Sequence, residues 1–278
     1  MFAGYRRSTV YKVSIRLIAL DIDGTLIPPG GGHVALPDAA ITSAIADLNR
    51  AGVVVVLASG RMYPGTARIA RHLGLMNPLI CQQGASIHAP DGAINHRFAI
   101  DPDIARELVV YAREYRWPYA WFDAVRYIAS APNLASTEYA LVSGIEPEYH
   151  AAPQESDVVP TGIDVISTPA EANRIHGFLE ARYGDRVHLL DFPSVTAAHS
   201  PEASKGNALA LLAADLGIPR EAVLAIGDSV NDVSMLRWAG HGVTLPHCDR
   251  YAREAADEIL SGNGIDGVAP LLRSMLRN

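Results

Sequence analysis

The sequence predicts an α/β protein, a mostly parallel sheet core split by an inserted α+β cap. Three observations carry this. Unbroken apolar runs at 17–20, 53–57, 79–81 and 223–226 read as strands covered on both faces, as in a parallel sheet. Segments with helical apolar spacing separate those runs, so strand and helix alternate. Between 86 and 198 the alternation stops and short strand candidates cluster. The expected organisation is therefore a core from 1–85 and 199–278, with a cap from 86–198.

The elements follow in order. Leu17-Ile18-Ala19-Leu20 is the first buried strand. A helix with Ile41, Ile45 and Leu48 on one face comes next, with Gly52 as its stop. Val53–Leu57 is the second strand, a helix near Pro64–Leu73 follows, and Leu79-Ile80-Cys81 is the third strand. Within the cap, strands are expected at 119–122, 126–129, 163–166, 187–190 and 194–197. Helical faces appear at Ile104/Leu108/Tyr111 and Ile175/Phe178/Leu179, and 143–161 reads as a surface loop. The core resumes with a helix N-capped by Ser204, the strand Val223–Ile226, a helix at 232–238, a strand at 242–244 and a last helix from Gly267.

Composition bounds the function. The chain has 278 residues, 49% hydrophobic and 19% charged, with net charge −7. That balance opposes a nucleic-acid partner, because gripping phosphate backbones needs a basic face. No run approaches the ~20 apolar residues of a membrane span. Residues 1–16 lack the apolar core of a signal peptide, and Tyr5-Arg6-Arg7 reads as part of a loose tail rather than a twin-arginine signal. The two cysteines, Cys81 and Cys248, form no metal or disulfide framework. A cytoplasmic setting is expected, with a monomer or homodimer.

Four features share one address, the end of a buried strand. They are Asp21/Asp23, Ser59-Gly60-Arg61, Lys205-Gly206 opening a helix, and Gly227-Asp228-Ser229-Val230-Asn231-Asp232. In an open α/β sheet, chemistry gathers in the crevice outside the strands' carboxyl ends. Asp21 and Asp23 suggest a nucleophile and a proton donor. With Asp228 and Asp232 they would bring up to four carboxylates together. Like charges ~4 Å apart cost several kcal/mol at an effective dielectric near 20, so a cation must offset them. Oxygen-only ligands point to Mg²⁺, with Lys205 as a second positive charge. Such a site suits a phosphoryl group.

The motifs resemble those of haloacid dehalogenase (HAD) superfamily phosphatases. The resemblance rests on DIDGT at 21–25, the apolar run ending in Ser59, Lys205, and GDSVND at 227–232, in that order. LASGR at 57–61, SKGNAL at 204–209, AIGDSVNDVSML at 225–236 and GNGIDGV at 262–268 are similar to the Cof-like subfamily, which carries a large α+β cap at this place. The resemblance implies a Rossmann-like core and a set of roles. Asp21 attacks phosphorus and Asp23 moves the proton, with neighbours that favour its neutral form. Mg²⁺ binds the Asp21 carboxylate, the Asp23 backbone carbonyl and Asp228. Ser59, Gly60, Lys205 and Asn231 hold the phosphoryl group, while Gly24, Asp232 and Asn263 support the loops. The implied activity is Mg²⁺-dependent hydrolysis of a small phosphate ester, foremost a sugar phosphate, through an aspartyl-phosphate. A phosphosugar mutase or phosphotransferase on the same scaffold, and a non-catalytic sensor, are the alternatives.

Two departures from the family pattern fall beside the site. Gln83-Gly84-Ala85 stands where the family has Asn-Gly-Ala, and His247-Cys248 where it often has Asn-Ala. Polar cap residues Asp123, Arg126, His188 and His199 are candidates for reading the leaving group. Arg61 is expected to be structural, with phosphate or a cap acid as its possible partners. Other signals fail on spacing. The GxGxxG at 262–267 has no room for a second strand. His241, His247 and Cys248 lack zinc-motif spacing. Gly30-Gly31-Gly32 lacks the lysine of a P-loop. Trp117, Tyr119, Trp121 and Phe122 read as cap core.

Overall fold

The computed structural model describes residues 14–277. The segment carrying Tyr5-Arg6-Arg7 lies outside the described residues. The core begins with β1 (Leu17–Leu20), α1 (Ala39–Arg50), β2 (Val54–Leu57), α2 (Tyr63–His72) and β3 (Leu79–Cys81). Two further strands follow, β4 (Ser86–His88) and β5 (Ile94–Arg97). The insert contains α3 (Pro102–Glu114), β6 (Tyr119–Phe122), β7 (Tyr127–Ala129), α4 (Leu134–Ser143) and β8 (Glu148–Tyr149). It continues with β9 (Gly162–Ile166), α5 (Pro169–Tyr183), β10 (His188–Phe192) and β11 (Val195–His199). The chain returns through α6 (Lys205–Asp215), β12 (Val223–Ile226), α7 (Val233–Trp238) and β13 (His241–Thr244). It closes with α8 (Arg250–Ala255), β14 (Glu258–Ile259) and α9 (Val268–Ser274).

Five strands form a parallel sheet in the order β14-β13-β12-β1-β2. β1 lies between β12 and β2 and is fully buried, so its four apolar residues face helices on both sides. Its register aligns Leu20 with Leu57 on one neighbour and Ile226 on the other. The loops after β1, β2 and β12 therefore leave the sheet side by side at one level. Local sequence fixes the helices that cover it. Asp38 accepts a hydrogen bond from the Ile41 amide and caps α1, whose Ile41, Ala44, Ile45 and Leu48 are buried. Ser204 does the same for α6 through the Asn207 amide.

The insert builds a six-stranded sheet in the order β10-β11-β9-β6-β7-β8. Its side chains alternate with period two. Tyr119, Trp121, Ile128, Ile163, Val165 and Ala198 pack against α3 and α5. Ala120, Phe122, Tyr127 and Ala129 lie in a separate cluster on the opposite face. Within residues 86–97, at the start of the segment assigned to the cap on sequence, β4 pairs with β3 and β5 with β4 in a small antiparallel sheet. The surface loop expected over 143–161 carries β8, which pairs with β7. Helix α4 packs on α2, and a Cβ on Gly65 would stand 2.3 Å from the Val142 carbonyl oxygen. Cys81 is buried at the end of β3 and Cys248 is half-buried after β13. No helix of the described residues is long and apolar enough to cross a membrane.

Candidate active site

The chain leaves β1 through a tight loop. The amides of Leu26 and Ile27 both return to the Ile22 carbonyl, and the Gly24 amide meets the Ile27 carbonyl at 2.8 Å. Gly24 has φ +90°, and a Cβ there would stand 2.2 Å from Oδ2 of Asp228. Any side chain would therefore be strained and would also displace the Asp228 carboxylate. Thr25 Oγ1 donates to the other Asp228 oxygen at 3.3 Å. The β1 and β12 loops are thus built against each other.

Lys205 joins the remaining acids. Its Nζ lies 2.6 Å from Oδ1 of Asp21 and 2.6 Å from Oδ1 of Asp232, and the lysine is completely buried. Burial alone would lower the lysine pKa, but the two carboxylates outweigh it and raise it above the usual value. Burial, and then the Asp232 charge, push the Asp21 carboxyl well above its ordinary range, against the pull of Lys205. Asp228 is pushed up to about 6 by burial and by Asp232. The cluster therefore carries more negative charge than one ammonium offsets.

These residues fit a divalent cation. Asp21, Asp228 and Asp232 each offer a carboxylate oxygen, all within 4.8 Å of one another. Asp232 is already committed, because Oδ2 accepts the amides of Asp228 at 2.9 Å and Ser229 at 3.0 Å while Oδ1 takes Lys205. Asp21 and Asp228 are the carboxylates left to hold Mg²⁺, a hard cation that takes a few carboxylates and fills the rest with water and phosphate oxygens.

Asp23 meets a different partner from the one expected. Arg61 binds its carboxylate at two points, Nε to Oδ2 at 2.8 Å and Nη2 to Oδ1 at 2.5 Å. Arg61 is 1% exposed, whereas the Asp23 side chain is 54% exposed. Arg61 therefore pairs with a core acid rather than a cap acid. Asp23 lies three residues past β1 and Arg61 four past its parallel neighbour β2, so the two planar groups can meet in this way, which spacing alone did not reveal.

The remaining predicted residues separate into those on the cavity and those behind it. A cavity of about 310 Å³ is lined on the core side by Asp21, Asp23, Gly60, Arg61, Gln83 and Asn231. Ser59 and Lys205 are fully buried behind that lining. Ser59 Oγ accepts the Arg61 amide at 3.2 Å. Asn231 donates to Gln83 Oε1 at 2.7 Å, so the departure at Gln83 acts directly on a predicted phosphate ligand. Asp228 opens on an adjoining cavity that shares Asp23 and Val142 with the first. His247 Nε2 lies 2.8 Å from the Gly24 carbonyl and 3.8 Å from Asp228, bracing the loop where the family often has asparagine. Asn263 is exposed and lines neither cavity, and its carbonyl accepts the Asp266 amide.

Of the four cap candidates only His199 reaches the cavity. Asp123 is spent on the β6–β7 turn, where it accepts the amides of Val125 and Arg126. Arg126 pairs with Glu148 and Asp157 at the surface. His188 turns to the Ala203 carbonyl. The cap wall is instead Phe122, Tyr127, Tyr139, Asp164 and His199. Phe122 was expected as cap core. It does pack against Tyr127 and Tyr139, on the face that meets the cavity. Strand alternation placed Asp164 on one face, but nothing in the sequence said which face would meet the core.

The family model described as haloacid dehalogenase-like hydrolase matches residues 18–272. Phosphatase YwpJ of Bacillus subtilis (strain 168) is 29% identical over 289 residues, covering 94% of this chain and 100% of its own. Phosphoglycolate phosphatase of Halorubrum lacusprofundi is 29% identical over 262 residues, covering 93% of this chain and 96% of its own. A haloacid dehalogenase-like hydrolase from Bacteroides thetaiotaomicron superposes with a TM-score of 0.80 at 21% identity, over 94% of this chain and 99% of its own.

Proposed function

Because the chain belongs to the haloacid dehalogenase-like hydrolases and is a phosphatase of their Cof-like branch, we propose that it hydrolyses small phosphorylated metabolites, foremost sugar phosphates, with Mg²⁺ and through an aspartyl-phosphate. The observation that carries this reading is the Asp21–Lys205–Asp232–Asp228 cluster at the aligned ends of β1 and β12, whose Asp21 faces a cavity walled on its other side by the insert. A cavity of about 310 Å³ sits at the small end of ligand pockets, which supports a small substrate.

Asp21 attacks phosphorus from its carboxylate, and the bond to the leaving oxygen breaks as that oxygen takes a proton from Asp23. Asp23 then removes a proton from water, whose oxygen attacks the phosphoryl group and releases phosphate with Asp21 restored. Mg²⁺, when bound, supplies positive charge that lets a carboxylate approach an anionic phosphoryl group. Lys205 fixes one Asp21 oxygen and leaves the other for attack. Arg61 holds Asp23 in one orientation through both half-reactions.

The test is phosphate release from a panel of phosphorylated metabolites, with Mg²⁺ and with EDTA. Release is expected with Mg²⁺ and its loss with EDTA. Asp21→Asn should remain folded by circular dichroism and lose turnover by at least about a thousandfold. Turnover that survives this change would remove Asp21 as nucleophile.

A further inference from the structure

Strand β9 carries one acid, Asp164, in the middle of the six-stranded sheet, and it lines the same cavity as Asp21. Its cross-strand partners are Ala120 on β6 and Ala197 on β11, with Ala129 beyond Ala120. Methyl groups on both sides leave the carboxyl standing clear of the sheet. Tyr127 donates to Oδ2 at 2.9 Å, which leaves Oδ1 toward the cavity.

Among the described residues no cation answers this carboxyl. The cavity lining contains, among the described residues, one arginine, Arg61, and no lysine, and that guanidinium is held by Asp23. His199 turns Nδ1 to the Thr161 carbonyl at 3.1 Å, so Nδ1 carries the hydrogen and Nε2 is an acceptor. Burial lowers its pKa to about 4, which keeps the ring neutral. The Tyr139 hydroxyl donates to the Gly60 carbonyl. The polar groups of this wall are therefore acceptors. Around them the rings of Phe122, Tyr127 and Tyr139 lie with centroids 4.8–6.4 Å apart, and aromatic faces attract cations. A buried carboxylate without a partner is costly, and burial pushes the Asp164 carboxyl up to about 7 in the absence of one.

We propose that the substrate supplies the missing cation: the leaving group carries a protonated amine that sits against Asp164 and the aromatic wall while its phosphate lies at Asp21. Amino-sugar and amino-alcohol phosphates are the class this describes. The inference rests on the phosphatase reading of the cavity's other end. It adds a specificity residue on the cap, where donor-bearing but uncharged leaving groups gain less.

The experiment compares kcat/KM of the full chain with Mg²⁺ for matched esters. The pairs are glucosamine 6-phosphate against glucose 6-phosphate, with N-acetylglucosamine 6-phosphate as the uncharged amide, and phosphoethanolamine against 2-hydroxyethyl phosphate. At least one amine should be preferred over its hydroxyl partner by about tenfold or more. Asp164→Asn, which still accepts from Tyr127, should erase that preference. Equal or lower rates for both amines in the unaltered protein overturn the proposal whether or not the variant folds, and so does a preference that survives Asp164→Asn. Acetyl phosphate separates the two readings. If the unaltered protein fails to hydrolyse it and every ester, the phosphatase reading falls. If it hydrolyses acetyl phosphate without favouring amines, only the amine site falls.

Discussion

Arg61 holds Asp23 through two nitrogens while its third, Nη1, is buried without a partner. A lysine reaches one carboxylate oxygen as a point charge and cannot reproduce the fork. Arg61→Lys should therefore lower kcat by roughly 10–100-fold on sugar phosphates, whose leaving oxygen needs a proton. p-Nitrophenyl phosphate, whose leaving group departs as a stable anion, should lose much less. Equal losses on both esters would mean that Arg61 does not act through Asp23. Asp164 sets a second expectation. Burial raises its pKa from 3.8 to about 7, so between those values the folded chain keeps a proton that the unfolded chain has lost. Its contribution to stability therefore falls as pH rises from about 4 to 7 and levels off above 7. In EDTA, Asp164→Asn should raise Tm at pH 8 and change it little at pH 4, and melting across that range checks it. Asp21, Asp23 and Asp228 were legible because strand-end position and spacing both marked them. Asp164 was not, because Ile163-Asp164-Val165 is an ordinary alternating strand until the sheet is docked.

Helix α4 shows what periodicity misses at the scale of an element. Its buried residues are Ser136, Ala140 and Ser143, while Leu134 and Leu141 are exposed, so no apolar stripe announced it. Its ends were readable in principle. Asn133 caps it through the Ser136 amide, and Gly144 ends it in the left-handed conformation. The small residues serve a close approach, since Ser143 Oγ accepts the Met62 amide at 3.1 Å and Gly65 lies against Val142. Gly65→Val should wedge α4 away from α2. KM for sugar phosphates is expected to rise several-fold, with kcat for acetyl phosphate, too small to need the cap, nearly kept. An unchanged KM would show that α4 does not hold the wall that Tyr139 and Val142 form. In α5 the opposite error occurred. Ile175 and Leu179 are buried as expected, but Phe178 is 45% exposed and stacks on Tyr111.

Across the whole molecule, the parallel sheet was readable because its strands are uninterrupted apolar runs, and the insert because short strand candidates cluster there. What sequence could not give was the docking of one sheet's face over the strand ends of the other. That docking makes a cavity from residues as far apart as Asp21, Asp164 and Asn231. The two cysteines lie in contrasting places within this plan, with a practical consequence. Cys81 is sealed under the sheet with its thiol pushed up to about 12 by burial, so it is slow to form the thiolate that reagents attack. Cys248 is half-buried and adjoins His247, whose ring touches the Gly24 carbonyl. A thiol reagent should count one cysteine in the native protein and two in denaturant. A fluorophore placed by that selectivity would stand one residue from a side chain that touches the β1 loop, and its emission could report on loading of the site without any engineered cysteine.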